Sequence, residues 1–353
     1  MHTIFLVHGM GEFSPGWSNS IQADIQKYYN PAKYNFLKDF PFGDSFRFKE
    51  ITYDPLFVAY LAEAKKQADQ LAKWSKLAMT LPQGTLGVLQ GVVTAASKAP
   101  ADNFLVNYLG DVAFYIASDI SELIKNTIVD QFSNGLGTDF DPANDDWSVV
   151  GHSLGTRVLT EFLQSGFTTA PSLRAFGKAR VVMQVANVSR LLEDLSLTNA
   201  GDVYSNAVYP SLTSANGCCT HFINATHRLD PFAFVDEFDP PPTFGDGRAF
   251  LDNVYHPVKL AVSDITDKNV HALAHYMLHP SVHTTLFQYL IPGTGKRGPT
   301  AAEMKSVMDD YRGKTLTADI TNVWRDSLVN LKSQPFQTVE QIFELWQQYG
   351  HLL

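Results

Sequence analysis

A serine lies between two glycines in the pentapeptide GHSLG, residues 151–155. The segment Ser148–Val150 before this pentapeptide predicts a short strand, and the apolar residues after Ser153 recur at helical spacing. A serine on a sharp strand-to-helix turn presents its hydroxyl as a nucleophile for acyl transfer. Ser153 is therefore the candidate nucleophile. The alternative interpretation is an ordinary turn that uses the glycines and carries no chemistry.

The two glycines have a mechanical explanation if Ser153 is a nucleophile. Such a serine sits in a strained backbone conformation, and side chains at Gly151 and Gly155 would collide with neighbouring elements. A helix that begins at Leu154 also directs its first N–H groups towards the serine and favours negative charge there.

The tetrapeptide HGMG, residues 8–11, directly follows the apolar run Ile4–Val7. Acyl transfer creates an oxyanion, which needs preorganised hydrogen-bond donors. The expected donors are the backbone N–H groups of Leu154 and Met10, and the glycines let the backbone approach the substrate closely. The alternative is a simple turn at the end of a strand, in which His8 only satisfies backbone groups.

Six segments predict the strands that must position these groups. They are Ile4–Val7, Phe46–Tyr53, Ser148–Val150, Arg180–Asn187, His221–Thr226 and Pro257–Val262. Helical patterns lie between most of them. This alternation predicts an α/β protein with a mostly parallel, doubly wound sheet.

The pairing of HGMG with GHSLG between a strand and a helix resembles the α/β-hydrolase superfamily, and within it the serine esterases and lipases. The resemblance covers roughly residues 1–290 apart from a helical insertion. It implies an α/β-hydrolase fold without the two leading antiparallel strands of many members. It also implies a catalytic triad in the chain order serine, acid, histidine. The acid would follow the second strand after the serine, and the histidine would follow the last strand.

The resemblance places the acid after His221–Thr226, where Asp230 precedes a proline. A carboxylate at this position would hold the histidine ring in the required tautomer and stabilise its protonated form. Asp236, Glu237 and Asp239 are competitors further along the chain. The non-catalytic explanation of Asp230 is an Asp-Pro turn.

The histidine should follow Pro257–Val262, and four candidates lie there: His271, His275, His279 and His283. His271 is the expected base, because it comes first and the stretch after it looks helical. His275 is the rival, since it would share a helical face with His271. The other two histidines are expected to be structural or exposed.

These roles define a reaction. His271 would take the proton of Ser153 as the serine attacks an acyl carbon, and water would then release the acid. We expect a carboxylic ester hydrolase, an esterase or lipase, that needs no cofactor and no metal. The alternatives are an acyltransferase or thioesterase with the same triad, and a hydrolase-fold binding protein without activity.

Two regions depart from the alternation of strands and helices. Residues 56–134 predict a helical insertion, in which the uncharged stretch Leu77–Ser97 is a candidate lid for lipid or long-chain acyl substrates. The alternative is a surface insertion that packs on itself. Residues 293–353 predict a helical C-terminal extension, with helices at Ala301–Tyr311 and Val339–Tyr349.

We expect residues 1–353 to form one domain. The composition of the chain limits the classes of partner that this domain can bind. The net charge of −9, without a basic stripe, argues against nucleic-acid binding. Cys218 and Cys219 are adjacent, which disfavours a disulfide, and no Cys/His set has metal-ligand spacing. No signal peptide is visible, which predicts the cytoplasm. The expected partner is a small ester or lipid, with transient contact to a membrane or lipid surface.

Overall fold

The computed structural model describes a defined part of the chain. The described residues are 1–9, 13–56, 59, 120–137, 140–167, 171–189, 208–212, 217–230, 233, 237–240, 244, 253–266, 269–291 and 298–313. The candidate lid Leu77–Ser97 and the predicted helix Val339–Tyr349 lie outside these residues.

Six parallel strands form one sheet in the described part of the chain. They are β1 His2–Val7, β2 Phe46–Ile51, β3 Trp147–His152, β4 Ala179–Val185, β5 Cys219–His227 and β6 Tyr255–Leu260. Their order across the sheet is β2-β1-β3-β4-β5-β6, and every neighbouring pair is parallel. The α/β class and the positions of the six strands are confirmed, with shifts of a few residues at the ends.

Helices cover both faces of this sheet. Their bounds are α1 Asn19–Tyr28, α2 Phe42–Ser45, α3 Ile120–Leu136, α4 Leu154–Phe167, α5 Leu273–Met277, α6 Pro280–Leu290 and α7 Ala301–Arg312. The helix predicted at Ala301–Tyr311 is α7, which begins with a reciprocal capping box between Thr300 and Glu303. No described helix is long and apolar enough to cross a membrane.

Alternate side chains of β1 pack into two separate cores, as the two-residue period of a strand requires. Phe5 and Val7 belong to the core under α3 and α4, whereas Ile4 and Leu6 belong to the core under α1 and α6. All four side chains are buried. Each buried side chain of this size contributes about 1.5–3 kcal/mol to folding. A strand that is buried on both faces has a continuous run of apolar residues, so β1 can be recognised from the sequence.

The strand order makes the connections diverge at the carboxyl ends of β1 and β3. The chain leaves β1 for β2 on one side and then returns past β1 to β3 on the other. The connections therefore diverge at this point, and open parallel sheets bind their ligands at such a divergence. His8 follows β1 here, and Ser153 follows β3.

Candidate active site

Ser153 occupies a strained turn between β3, which ends at His152, and α4, which begins at Leu154. Its φ of 55° lies in the left-handed region, which costs a residue with a Cβ about 1–2 kcal/mol. Hydrogen bonds hold the turn in place. The N–H of Ser153 donates to the carbonyl of Val185 at 3.1 Å, and the Ser153 carbonyl accepts the N–H and hydroxyl of Thr156 at 2.8 and 2.6 Å.

Glycines around this turn allow backbone to pack on backbone. A Cβ on Gly155 would lie 2.3 Å from the carbonyl oxygen of His8, at the end of β1. A Cβ on Gly151 would lie 3.0 Å from the carbonyl oxygen of Gly155. The steric explanation of both glycines in GHSLG is therefore confirmed. A Cβ on Gly9 would lie 2.7 Å from the Cβ of Ser153, so the chain after β1 contacts the serine directly.

A continuous hydrogen-bonded chain joins Ser153, His271 and Asp230. The Nε2 atom of His271 lies 2.8 Å from the Oγ of Ser153. The Nδ1 atom of His271 lies 2.8 and 3.0 Å from the two carboxylate oxygens of Asp230. Asp230 is 0% exposed, Ser153 1% and His271 7%. When Nδ1–H donates to Asp230 and Nε2 carries no proton, the lone pair of Nε2 faces the serine hydroxyl.

The three residues follow three different strands at one edge of the sheet. Ser153 follows β3, Asp230 follows β5, and His271 lies after β6 and before α5. Because the strands are parallel, their carboxyl ends meet at this edge. The structure thus brings together the serine, acid and histidine that the sequence singled out.

Asp230 accepts hydrogen bonds from further donors besides His271. The hydroxyl of Tyr276 donates to its Oδ2 atom at 2.7 Å, and the N–H of Ala233 donates to Oδ1 at 3.3 Å. Burial alone would raise the pKa of Asp230. The charge of His271 and the hydrogen bonds from His271, Tyr276 and Ala233 outweigh burial and hold this pKa below its usual value. The acid is therefore a carboxylate at neutral pH.

Tyr276 is a partner of the site that the sequence did not reveal. Its hydroxyl donates to Asp230 and accepts the N–H of His227 at 3.0 Å. Burial, and then the Asp230 carboxylate, raise the pKa of Tyr276 well above its usual value, so it remains a donor. Tyr276 adjoins the rival His275, but no spacing rule connects a tyrosine with an acid 46 residues away.

His152 is a second such partner. Its Nε2 atom lies 2.6 Å from the backbone oxygen of His271, and the two rings are 5.1 Å apart between centroids. Burial, and then the charge of His271, lower the pKa of His152 to about 3. The ring is neutral, and it donates Nε2–H to the carbonyl, since a carbonyl oxygen can only accept.

The turn after β1 is fixed by His8 and Tyr53. The Nδ1–H of His8 donates to the Gly9 carbonyl at 2.6 Å, and Nε2 accepts the N–H of Tyr53 at 3.2 Å. The His8 ring also stacks on Phe13 and Tyr53, at 4.4 and 4.2 Å. Burial lowers the pKa of His8 to about 4, so this ring is neutral. His8 thus bonds backbone groups, as the simple-turn interpretation of HGMG expects, and the oxyanion interpretation stays a prediction.

The structure describes one of the two predicted oxyanion donors, Leu154, and not the other, Met10. Leu154 is the first residue of α4 and is buried against the sheet, directly after Ser153. Its N–H is one of the first four of the helix, which have no partner within the helix. Met10 lies outside the described residues, which end at Gly9 and resume at Phe13.

The other candidate histidines contact groups other than Ser153. His275 is on α5, with its ring 5.2 Å from that of His227. His279 caps the N-terminus of α6, and its Nε2 atom lies 3.3 Å from Asp264. His283 lies 2.9 Å from the hydroxyl of Tyr34 and is buried. The last two are structural, and neither is exposed.

The competing acids also differ from Asp230 in their surroundings. Glu237 is exposed and pairs with Lys259 at 2.5 Å. Asp239 is exposed as well, and Asp236 lies outside the described residues. Asp230 differs from these acids in two contacts. It contacts His271, a candidate histidine after β6, and it contacts the end of β5.

Within the described ranges, no group of three or more His, Cys, Asp or Glu side chains is placed to hold a metal ion. Cys218 and Cys219 are buried thiols. Comparisons of the chain with protein-family models, curated proteins and solved structures returned no match. The geometry of Ser153 and its partners is therefore the basis on which a function is inferred.

Proposed function

We propose that this protein is a serine hydrolase of the α/β-hydrolase superfamily, which cleaves carboxylic esters through an acyl-enzyme on Ser153. The observation that carries the proposal is the chain of hydrogen bonds from Ser153 Oγ through His271 to Asp230. The strained serine turn and its place at the divergence of the sheet add support.

The first half-reaction forms the acyl-enzyme. Ser153 Oγ attacks the ester carbonyl carbon while Nε2 of His271 takes the hydroxyl proton. The carboxylate of Asp230 stabilises the resulting imidazolium and keeps its Nδ1–H directed inward. The bond between the acyl carbon and the alcohol oxygen then breaks, and His271 returns the proton to the departing alcohol. General base catalysis of this kind contributes about 10²–10⁴-fold to the rate.

The second half-reaction uses the same groups for water. His271 removes a proton from a water molecule as its oxygen attacks the acyl carbon, and the carboxylic acid leaves as the proton returns to Ser153. The same ring acts as base and then as acid in each half. Asp230 remains ionised throughout, which its lowered pKa supports.

The negative charge on the acyl oxygen needs donors. We assign them to the backbone N–H groups of Leu154 and Met10, and the N-terminal end of α4 adds a favourable field. One such donor is worth about 10²–10³ in kcat. Gly9, which has no side chain, keeps the space beside Ser153 open for backbone.

The substrate class rests on the sequence. The uncharged stretch Leu77–Ser97 favours a lipid or long-chain acyl ester, and its role as a lid remains a prediction. A cytoplasmic location and transient contact with a lipid surface also remain predictions. Acyltransferases and thioesterases would use the same three side chains, so only the products separate them from an esterase.

The proposal is tested with a fluorophosphonate probe and p-nitrophenyl butyrate. We expect the wild type to label and to turn over the ester. Labelling should vanish in Ser153→Ala, and turnover should vanish in His271→Ala but persist in the matched control His275→Ala. A wild type that neither labels nor hydrolyses would contradict the proposal and favour a binding protein. Faster transfer to an added alcohol than to water would identify an acyltransferase, and preferential cleavage of thioesters would identify a thioesterase.

A further inference from the structure

His152 makes a contact that links two distant parts of the candidate site. It precedes Ser153 in the chain, and its ring reaches the backbone oxygen of His271, 119 residues away, at 2.6 Å. The ring is buried. The reaction proposed above moves no proton through His152, so another reason is needed for a histidine at this position.

The proton positions on this ring follow from its partner. A carbonyl oxygen only accepts hydrogen bonds, so Nε2 of His152 carries a proton. The ring is neutral, so Nδ1 is bare. His152 is therefore a neutral donor at one defined atom, and any side chain with an N–H at the place of Nε2 can substitute for it.

The contact from His152 acts on the backbone of His271, which the bond between the His271 side chain and Asp230 does not hold directly. Asp230 holds the Nδ1 end of the imidazole, whereas His152 holds the backbone carbonyl of the same residue. Since His152 and Ser153 are consecutive, one dipeptide carries both the nucleophile and the anchor of the base. The same backbone turn therefore holds both groups whose distance matters, Ser153 Oγ and His271 Nε2, which lie 2.8 Å apart.

We propose that His152 is a positioning residue, which ties the backbone of His271 to the nucleophile turn and so sets the distance between nucleophile and base. This inference rests on the proposed function of Ser153 and His271. A misplacement of about 1 Å in such a pair can cost about 10²-fold in rate. The loss should fall on kcat, because the contact is made to the backbone of the base.

Glutamine and asparagine form a matched pair for the test. The amide nitrogen of glutamine reaches the place of Nε2 in histidine, whereas that of asparagine reaches only the place of Nδ1. We expect His152→Gln to keep kcat for p-nitrophenyl butyrate within about threefold of the wild type. His152→Asn should lose about 10- to 100-fold in kcat, with KM within about twofold, counted per serine that the fluorophosphonate labels.

A control and a second readout separate positioning from folding and from function. His283→Asn alters another buried histidine, on α6, and should lower Tm but not kcat. The low-field NMR resonance of the His271 Nδ1–H reports its bond to Asp230 without any turnover. It should persist in His152→Gln and broaden or disappear in His152→Asn.

The outcomes are distinct. Equal kcat and an unchanged resonance in the two variants would overturn the positioning role while leaving an active wild type as a serine hydrolase. Equal loss in both variants, in proportion to their Tm, would overturn it too, since a structural role predicts that result. A wild type without activity whose resonance still depends on the residue at position 152 would refute the proposed function and support the positioning contact.

Discussion

Gly9 and Ser153 pack so closely that a Cβ on the glycine would lie 2.7 Å from the Cβ of the serine. The segment after β1 and the turn after β3 are therefore in direct contact, with no side chain between them. This contact places Gly9, the last described residue of the predicted oxyanion segment HGMG, beside the candidate nucleophile. It also gives the first prediction.

We predict that Gly9→Ala lowers kcat for p-nitrophenyl butyrate by about 10²-fold, because the methyl group must displace either Ser153 or the segment after β1. Steady-state kinetics per labelled serine measure the effect. Gly43→Ala is the control, since a Cβ there meets nothing within 4 Å; it should leave activity unchanged and Tm equal to or slightly above that of the wild type, because Gly43 lies in α2 and alanine favours a helix. Normal kcat in Gly9→Ala would show that the contact between Gly9 and Ser153 is less tight than the 2.7 Å distance indicates.

A second prediction concerns stability alone. Ser153 has a φ of 55°, which glycine adopts without strain and alanine does not. Ser153→Gly should therefore have a free energy of unfolding up to about 1 kcal/mol higher than that of Ser153→Ala. Denaturant titration measures both. In the middle of β3 the order should reverse, with Ser148→Gly less stable than Ser148→Ala; the same order at both positions would argue against a strained turn.

The third prediction concerns Tyr276. Tyr276→Phe removes a donor to Asp230 and the acceptor of the His227 N–H, which should cost about 1–3 kcal/mol of unfolding free energy. It should also lower kcat. Tyr34→Phe removes a buried tyrosine hydroxyl that contacts His283, so it should lose stability and keep kcat.

The same variant should shift the response to acid. A carboxyl group with a lowered folded-state pKa stabilises the protein above its unfolded-state pKa, and this stability disappears as pH falls through the folded-state value. Without the Tyr276 hydroxyl the folded-state pKa of Asp230 rises towards its unfolded-state value, so the loss should be smaller in total and complete at a higher pH. Chemical unfolding from pH 6 to pH 3 tests this; identical pH profiles for Tyr276→Phe and the wild type would contradict it.

The fourth prediction concerns buried neutral histidines. Burial is the first cause of a lowered pKa in each, to about 3 for His2, His152 and His283 and to about 4 for His8 and His227. The unfolded state takes up protons near pH 6.5 and the folded state does not. Stability is therefore complete above pH 6.5 and declines as pH falls below it, by up to about 1.4 kcal/mol per pH unit and histidine.

Unfolding free energies measured between pH 7 and pH 5 check this slope. His283→Asn removes one such group and should show a shallower slope than the wild type. Stability that does not change across this range would mean that these rings take up protons in the folded state.

The sequence predicts those parts of the site that depend on neighbouring residues. GHSLG identifies Ser153, because the strand, the glycines and the helix are all local, and Ile4–Val7 identifies a strand buried on both faces. Asp230 and His271 needed the chain order of a known superfamily, since neither has a distinctive local pattern. The bond from His152 to His271 depends on which loops meet after the sheet forms, and no local pattern carries that information.

The contact between α4 and β1 has a further consequence for how this protein tolerates change. Gly155 lets the helix backbone lie against the carbonyl of His8, so no side chain spaces the two elements. Backbone contact, rather than the apolar residues that fill the two cores, then sets the distance between helix and strand at this point. Substitutions that conserve volume can accumulate in the cores under neutral drift, while two or three glycines preserve the dimensions of the site. Extensive divergence of the sequence is thus compatible with an unchanged reaction geometry.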